Sequence, residues 1–449
     1  MRAWSTGDVD AALGLAPGAA QRSFSGISTD SRSVERGALF VALRGERFDG
    51  HRFVAMAHER GASGAVVERG APVPEGMVAF EVDDTLVALG RLARACRRHV
   101  TGPVIGVTGT NGKTSTKEML AHTLGIRWAV HATRVNRNNL VGVPLTILEA
   151  PENADSLVVE VGASAPGEVA RLRDVIAPTL GVVTNVSAGH LEGFGSMRGI
   201  MQEKVSLLVG VEHAVVGGEP ADLGDAARRV APRVTVAGTS GHADVAPTSV
   251  TMGGDGRAEI VYRERRVRLA VSGVHQVENA MIALAVADVL GIELDAAVDV
   301  LRRVEVPGGR CRVLRSDRLT VIDDTYNANP ASLAAALRTA ESMAGGRPLV
   351  IGLGSMLELG PEETALHAEM AAHVLKSQPA LVAVTGAFAP AFDPWRTELG
   401  DRLIVSPDAD TLGAALAQRL TGGELVLLKA SHGVHLECAI PHLIGDETA

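Results

Sequence analysis

Val104-Ile105-Gly106-Val107-Thr108 runs directly into Gly109-Thr110-Asn111-Gly112-Lys113-Thr114 and then opens a helical stretch. A short apolar run, a glycine-bearing turn and a helix in succession make a βα unit, and its loop can wrap backbone N–H groups around phosphate oxygens. Lys113 is expected at the terminal phosphates of a nucleotide and Thr114 at a magnesium ion. The strict form of such a loop needs glycine where Val107 stands, so this is a compact variant. Without its flanks, Gly-Lys-Thr is as readily an ordinary turn; the strand before it and the helix after it decide for nucleotide binding. Kinase, GTPase and ligase chemistry all stay open on this stretch alone.

Downstream of the loop, short apolar runs alternate with helical patterns, the signature of βα units around a mostly parallel sheet. A first block continues through Leu157-Val158-Val159 and Gly181-Val182-Val183-Thr184, and a second holds Pro348-Leu349-Val350-Ile351, Leu381-Val382-Ala383-Val384 and Glu424-Leu425-Val426-Leu427-Leu428. Between them, helical patterns at 280–290 and 296–303 lead to the turn Pro307-Gly308-Gly309, a boundary and a candidate hinge. Upstream, strand candidates at 38–43, 65–67 and 78–82 and a helical stretch at 86–99 form a separate small α/β unit, closed by Thr101-Gly102-Pro103. The expected fold class is therefore α/β with three domains, over residues 1–100, 101–308 and 309–449. The segment 239–257, rich in Gly, Ser and Thr, reads as loops or a small β excursion.

Composition narrows the class. The chain has 449 residues, 46% hydrophobic and 21% charged, too long for one ordinary core. No apolar run is long enough to span a membrane. The first residues lack a basic start followed by an apolar stretch, so a cytoplasmic location is expected. A net charge of −9 gives no basic field for nucleic acid, and few aromatics leave little base-stacking surface. Cys96, Cys311 and Cys438 lie far apart and fit neither a disulfide framework nor a zinc ribbon. The 38 arginines outnumber five lysines, at 113, 117, 204, 376 and 429. An arginine stays charged, whereas an unprotonated lysine is a nucleophile, so a lysine kept in such a chain points to chemistry. Lys117 and Lys376 read as chance retention.

Glu160 ends the strand Val158-Val159-Glu160-Val161-Gly162, which aims a carboxylate from the carboxyl edge of the sheet toward the loop. His190 follows another strand and can reach the same rim. Taken singly, one is a solvated strand-end carboxylate and the other a loop histidine; on successive strands beside a phosphate loop they favour a metal site. Lys204, in the helical pattern 199–208, would read as an exposed helix lysine without further context.

Four long motifs carry a family resemblance. These are Thr108 through Thr114; Asn136-Arg137-Asn138-Asn139-Leu140-Val141-Gly142-Val143-Pro144; His190-Leu191-Glu192-Gly193-Phe194-Gly195; and Asp323-Asp324-Thr325-Tyr326-Asn327-Ala328-Asn329-Pro330. With Ser28-Thr29-Asp30-Ser31-Arg32 and the stretch Leu39 to Glu46, which look like a UDP-binding start, they make the chain resemble the Mur ligases over nearly its whole length. Within that family it most resembles the members that join D-alanyl-D-alanine to UDP-N-acetylmuramoyl-tripeptide in peptidoglycan synthesis.

The resemblance implies an ATP-dependent amide-bond ligase working through an acyl phosphate, with a central ATPase domain and a C-terminal Rossmann-like domain that receives the amine. It implies that Lys204 takes up carbon dioxide as a carbamate and joins His190 at a second magnesium, while Thr114 and Glu160 hold the first. Arg310 matches an arginine that reaches back to the terminal phosphate. Asn279, Asp324, Tyr326, Asn327 and Asn329 would hold adenine and ribose, although Asn329 also reads as the cap of the following helix. Ser31, Arg32, Asn136, Asn138 and Asn139 would meet the uridylyl-muramoyl substrate, and the working form would be a monomer. Departures gather in the C-terminal half: Ser355 stands where Asp is usual, Ala430 and His432 where Gly and Arg are, and Gln276 replaces Asn after His275. Val215 to Pro220 also lacks the usual Asn and Asp. They leave room for a relative using another amine donor, or for a nucleotide-binding homologue without turnover.

Overall fold

The computed structural model describes residues 3–18, 21–45, 48–189 and 191–445. Three parallel or mostly parallel sheets follow one another along the chain. The first has four parallel strands in sequence order, Ile27–Ser28, Leu39–Val41, Gly64–Glu68 and Val78–Val82. Helix Thr85–Arg97 closes this unit, started by Asp84, whose carboxylate accepts from the N–H groups of Leu86 and Val87 at 2.7 and 2.9 Å.

The second sheet has six parallel strands in the order Val234–Ala237, His213–Gly217, Leu180–Val183, Val104–Thr108, Ser156–Glu160 and Val130–Ala132. Val104–Thr108 lies inside it and is buried along its whole length, as an unbroken apolar run requires of a strand covered on both faces. The chain runs from this strand to one edge of the sheet, returns beside it through Ser156–Glu160, and then crosses to its other side at Leu180–Val183. That reversal opens a crevice at the carboxyl ends of the strands, where doubly wound sheets bind ligands.

Helix Gln276–Val289 packs against Lys113–Leu124, the helix that follows the phosphate loop. Met281, Ile282, Leu284 and Val286 on it are essentially solvent-free, each worth about 1.5–3 kcal/mol of transfer energy. The expected β excursion is an antiparallel three-stranded sheet, Ser249–Met252, Arg257–Tyr262 and Arg265–Ser272, which starts inside the segment read as loops and runs past it.

The third sheet is ordered Arg312–Arg315, Thr320–Asp324, Leu425–Lys429, Leu349–Leu353, Leu381–Val384 and Leu403–Val405, parallel except for its first, antiparallel edge strand. Among the described residues, no helix is long and apolar enough to cross a membrane.

Candidate active site

The phosphate loop sits where its sequence puts it, between strand Val104–Thr108 and helix Lys113–Leu124, and two of its glycines are required by shape. Gly109 has φ +146°, and a Cβ there would stand 2.0 Å from the Thr184 hydroxyl; Gly112 has φ +80°, with the Asn279 amide oxygen 2.4 Å from a would-be Cβ. The loop is pinned from the neighbouring strand's end. Asn185 Oδ1 accepts from the Asn111 N–H at 3.0 Å, and Asn185 Nδ2 and the Thr184 hydroxyl donate to the Asn111 carbonyl at 3.0 and 2.5 Å. Lys113 Nζ donates to the loop's own carbonyls, Gly109 at 2.9 Å and Thr110 at 3.0 Å. Burial lowers its pKa, and the positive charge of Arg310 lowers it further, while Glu160 opposes both.

A cleft of about 600 Å³ opens over this loop. Its floor carries Thr110 to Thr114, and Glu160 and Lys204 stand on one wall. Glu160 is held by its own N–H, donated to the Thr133 hydroxyl at 2.9 Å, and by Asn138 Nδ2, which donates to Oε1 at 2.9 Å. Its Oε2 is buried with no hydrogen-bond partner. A buried carboxylate oxygen left bare costs on the order of 1–3 kcal/mol, so this one marks a place for a cation. Lys204 is 2% exposed, and its ammonium lies 5.7 Å from the Phe194 ring centre with no hydrogen bond to any described residue. Desolvation, and then the charge of Lys113, bring its pKa down to about 7. A lowered pKa favours the free amine, the form that carbamate formation requires.

No three His, Cys, Asp or Glu side chains among the described residues converge as a ready-made metal cage. The fit is of another kind: one orphaned carboxylate oxygen, the Thr114 hydroxyl and an unpartnered amine share a cleft with the phosphate loop. His190 lies outside the described residues.

Arg310 crosses from the turn after Pro307 and donates from Nη2 to the Thr114 hydroxyl at 3.3 Å. Its guanidinium lies 3.7 Å from the Tyr326 ring centre, and His432 stacks on that ring at 5.6 Å and 25°. Asp324, Tyr326 and Asn327 line the C-terminal side of the cleft. Lys429, also 2% exposed, holds this side together: Nζ donates to Asp324 Oδ2 at 2.6 Å and to the Asn327 carbonyl at 2.8 Å. Asn136, Asn138 and Asn139 also line the cleft, Asn138 beside Glu160.

Other residues expected at the site lie off its walls. Gly109 belongs to the loop but does not line the cleft. Asn279 is 2% exposed, and its side chain accepts from the Thr116 hydroxyl at 3.1 Å and donates to Gln276 Oε1 at 2.9 Å, so it braces the loop from below. Asn329 does not line the cleft and donates to Asn111 Oδ1 at 2.8 Å. Ser31 and Arg32 belong to the first unit, where Arg32 pairs with Asp30 at 2.8 Å and holds that carboxyl down at about 2. Reading the sequence did not find Asn185, which pins the loop, because a lone Asn after a strand carries no pattern. It also passed over Lys429, although the scarcity of lysine pointed there. Lys117, read as chance retention, is 2% exposed and pairs with Glu118.

Family models place these features in a known lineage. The Mur ligase family catalytic domain matches residues 23–97, the Mur ligase middle domain 107–287, and the Mur ligase glutamate ligase domain 309–432. The chain is 35% identical over 428 residues, 93% of both chains, to the UDP-N-acetylmuramoyl-tripeptide–D-alanyl-D-alanine ligase of Bacillus subtilis (strain 168). The chain belongs to the Mur ligase family. The enzyme of the same name from Escherichia coli (strain K12) is 34% identical over 77% of each chain. Among solved structures, a crystal structure of MurF from Acinetobacter baumannii superposes with a TM-score of 0.89 at 28% identity, covering 99% of this chain and 100% of that one. MurF from Thermotoga maritima in complex with ADP does so at 0.83 and 29%, covering 93% and 96%. The three sheets are thus the three-domain Mur ligase fold, with the parallel-sheet ATPase unit in the middle.

Proposed function

We propose that this Mur ligase joins D-alanyl-D-alanine to UDP-N-acetylmuramoyl-tripeptide at the expense of ATP, in cytoplasmic peptidoglycan precursor synthesis, and that it works as a monomer. The observation that carries this reading is the convergence, in one cleft, of the phosphate loop, the bare carboxylate oxygen of Glu160, the unpartnered amine of Lys204 and the guanidinium of Arg310. Near-full-length similarity to ligases of that name supports the choice of substrates.

A carboxylate and an ammonium do not condense in water, so the acid must first gain a leaving group. The tripeptide carboxylate attacks the γ-phosphorus of ATP and releases ADP; the amine of D-alanyl-D-alanine then attacks the acyl carbon, expels inorganic phosphate and gives up a proton. Lys113 exchanges the carbonyls of Gly109 and Thr110 for phosphate oxygens, and Arg310 brings a second positive charge to the transferred group from the C-terminal side. Glu160, Thr114, His190 and carbamylated Lys204 are the residues that would hold two magnesium ions, which when bound neutralise phosphate charge. The carbamate forms when the free Lys204 amine adds to carbon dioxide and loses a proton, turning a buried cation into an anionic oxygen donor.

Asp324, Tyr326 and Asn327 face the nucleoside end, and Asn136, Asn138 and Asn139 face the acyl acceptor. Residues 1–100, with Ser31 and Arg32, take the UDP moiety, 101–308 the ATP, and 309–449 the amine. Closure of the last domain excludes water that would hydrolyse the acyl phosphate. The test is phosphate release from purified protein with ATP, magnesium, the UDP-linked tripeptide and D-alanyl-D-alanine, repeated with other amine donors. Release that needs both acceptor and dipeptide is expected. Release with neither would make the protein a plain ATPase, and a strong preference for another amine would reassign the donor.

A further inference from the structure

Asn111 sits at the centre of the phosphate loop, yet none of its polar groups is free to hold a phosphate. Its backbone N–H and carbonyl are both committed to Asn185 and Thr184. Its side chain points across the domain boundary. Asn111 Nδ2 donates to the Ser187 hydroxyl at 3.2 Å and to Asn329 Oδ1 at 3.3 Å, and Asn329 Nδ2 donates back to Asn111 Oδ1 at 2.8 Å. The two amides, 218 residues apart in sequence, therefore form a reciprocal pair.

Asn329 is 4% exposed and does not line the cleft. Its Oδ1 also accepts from the Ser332 N–H at 3.0 Å and so caps helix Pro330–Ala344. One side chain thus fixes the start of a C-terminal-domain helix and ties that start to the loop that holds the nucleotide. Its remaining amide hydrogen is the only hydrogen-bonding group it has left.

We infer that Asn111 and Asn329 are a positioning pair that docks the C-terminal domain onto the phosphate loop, rather than ligands of the nucleotide. The pair makes domain docking depend on the conformation of the loop. When phosphates draw Lys113 off the carbonyls of Gly109 and Thr110, the loop is held in place, its Asn111 amide stays presented, and Arg310 and Tyr326 arrive with the helix that Asn329 caps. The inference rests on the ligase reading for its catalytic consequence but not for its structural one, so two readouts are needed.

The variants are Asn329→Ser, which keeps a hydroxyl to cap the helix but cannot reach Asn111, Asn111→Ala, which leaves the cap untouched, and the double variant. In turnover, each single variant is expected to lose about tenfold in kcat with KM for ATP changed less than twofold. The double variant should lose no more than the worse single one, because both changes break the same contact. The second readout needs no turnover. Spin labels at the exposed residues Arg229 and Glu398, in a Cys438→Ser background, report the distance between middle and C-terminal domains with magnesium and a non-hydrolysable ATP analogue. A single short distance in the parent is expected to broaden toward longer ones in all three variants.

A KM for ATP that rises tenfold at unchanged kcat would make Asn329 a nucleotide ligand and overturn the inference. So would additive losses, or an unchanged distance distribution. A parent that shows the single short distance, with all three variants broadened, but no amide synthesis would instead count against the proposed function alone.

Discussion

The cleft is framed by the carboxyl edges of two six-stranded sheets, and the two edges treat their polar groups in opposite ways. On the middle-domain side several buried groups stand bare: among the described residues Glu160 Oε2 and His275 Nδ1 have no hydrogen-bond partner, and the Lys204 amine lies 5.7 Å from the centre of the Phe194 ring. On the C-terminal side most such groups are saturated, and among the described residues Glu437 Oε2 is the one buried side-chain oxygen there without a partner. Lys429 binds Asp324 and the Asn327 carbonyl, the Ser355 hydroxyl accepts from the Ala387 N–H at 2.9 Å, and the Ser431 hydroxyl accepts from the Leu357 N–H at 3.0 Å. A bare buried group is tolerated only where something else completes it, whereas a saturated network fixes geometry. The first edge is built to receive charge and the second to hold a shape while it moves.

The hardest blow to that contrast falls on Lys204. Lys204→Ala should lower turnover about a thousandfold, roughly 4 kcal/mol of barrier, as removal of a charge-stabilising group does. Added bicarbonate should not restore it, while short carboxylic acids should restore part by standing in for the carbamate. Initial rates with and without acetate or formate decide it, and turnover near the parent's would remove Lys204 from the receiving edge altogether.

On the saturated edge the loss should appear as stability. Lys429→Met strips the partner from a buried carboxylate, Asp324, and should cost about 3 kcal/mol by urea denaturation. Adding Asp324→Asn should recover much of it, since a neutral amide needs no counter-charge. If the double variant is as unstable as Lys429→Met alone, the pair is not a closed unit and the contrast between the edges fails there.

How much of this was legible depends on whether a residue's role is local. Val104–Thr108 and the phosphate loop declare themselves because strand, glycines, lysine and helix are contiguous. Thr320–Asp324 does not read as a strand because its last two residues are acidic, and only the fold shows why: the Asp324 carboxylate meets Lys429 from the strand beside it. Arg312–Arg315 hides in the same way, a four-residue antiparallel edge strand in which two arginines flank Val313 and Leu314. Lysine scarcity is a chain-wide signal and did better than local pattern. Lys117, Lys204 and Lys429 are each buried to 2% exposure, where the bulkier, always-charged guanidinium is a poor fit. The role of Asn329 was half legible: its cap follows from Asn-Pro before a helix, but its bond to Asn111 needs the two domains in place.

The mildest test reaches the saturated edge through acid. His367 is buried beneath the loop that carries Ser355 and Met356; Nδ1 faces the Glu363 carbonyl at 2.7 Å and Nε2 lies 2.9 Å from the Met356 N–H. A carbonyl only accepts and an N–H only donates, so the ring must be neutral with its proton on Nδ1. Burial lowers its pKa below the ordinary 6.5, and the Glu363 carbonyl and carboxylate offset this only in part. The unfolded chain therefore takes up a proton near pH 6.5 that the native ring refuses. The stabilisation is whole above that pH and drains away as pH falls from it through the native pKa. His367→Gln supplies the same donor and acceptor without a proton to gain. It should cost about 1 kcal/mol at pH 7.5 from imperfect geometry, and should lose less stability than the parent between pH 6.5 and 5. Stability curves that stay parallel through that window would mean His367 titrates alike in both states, and that this edge is less tightly saturated than its hydrogen bonds imply.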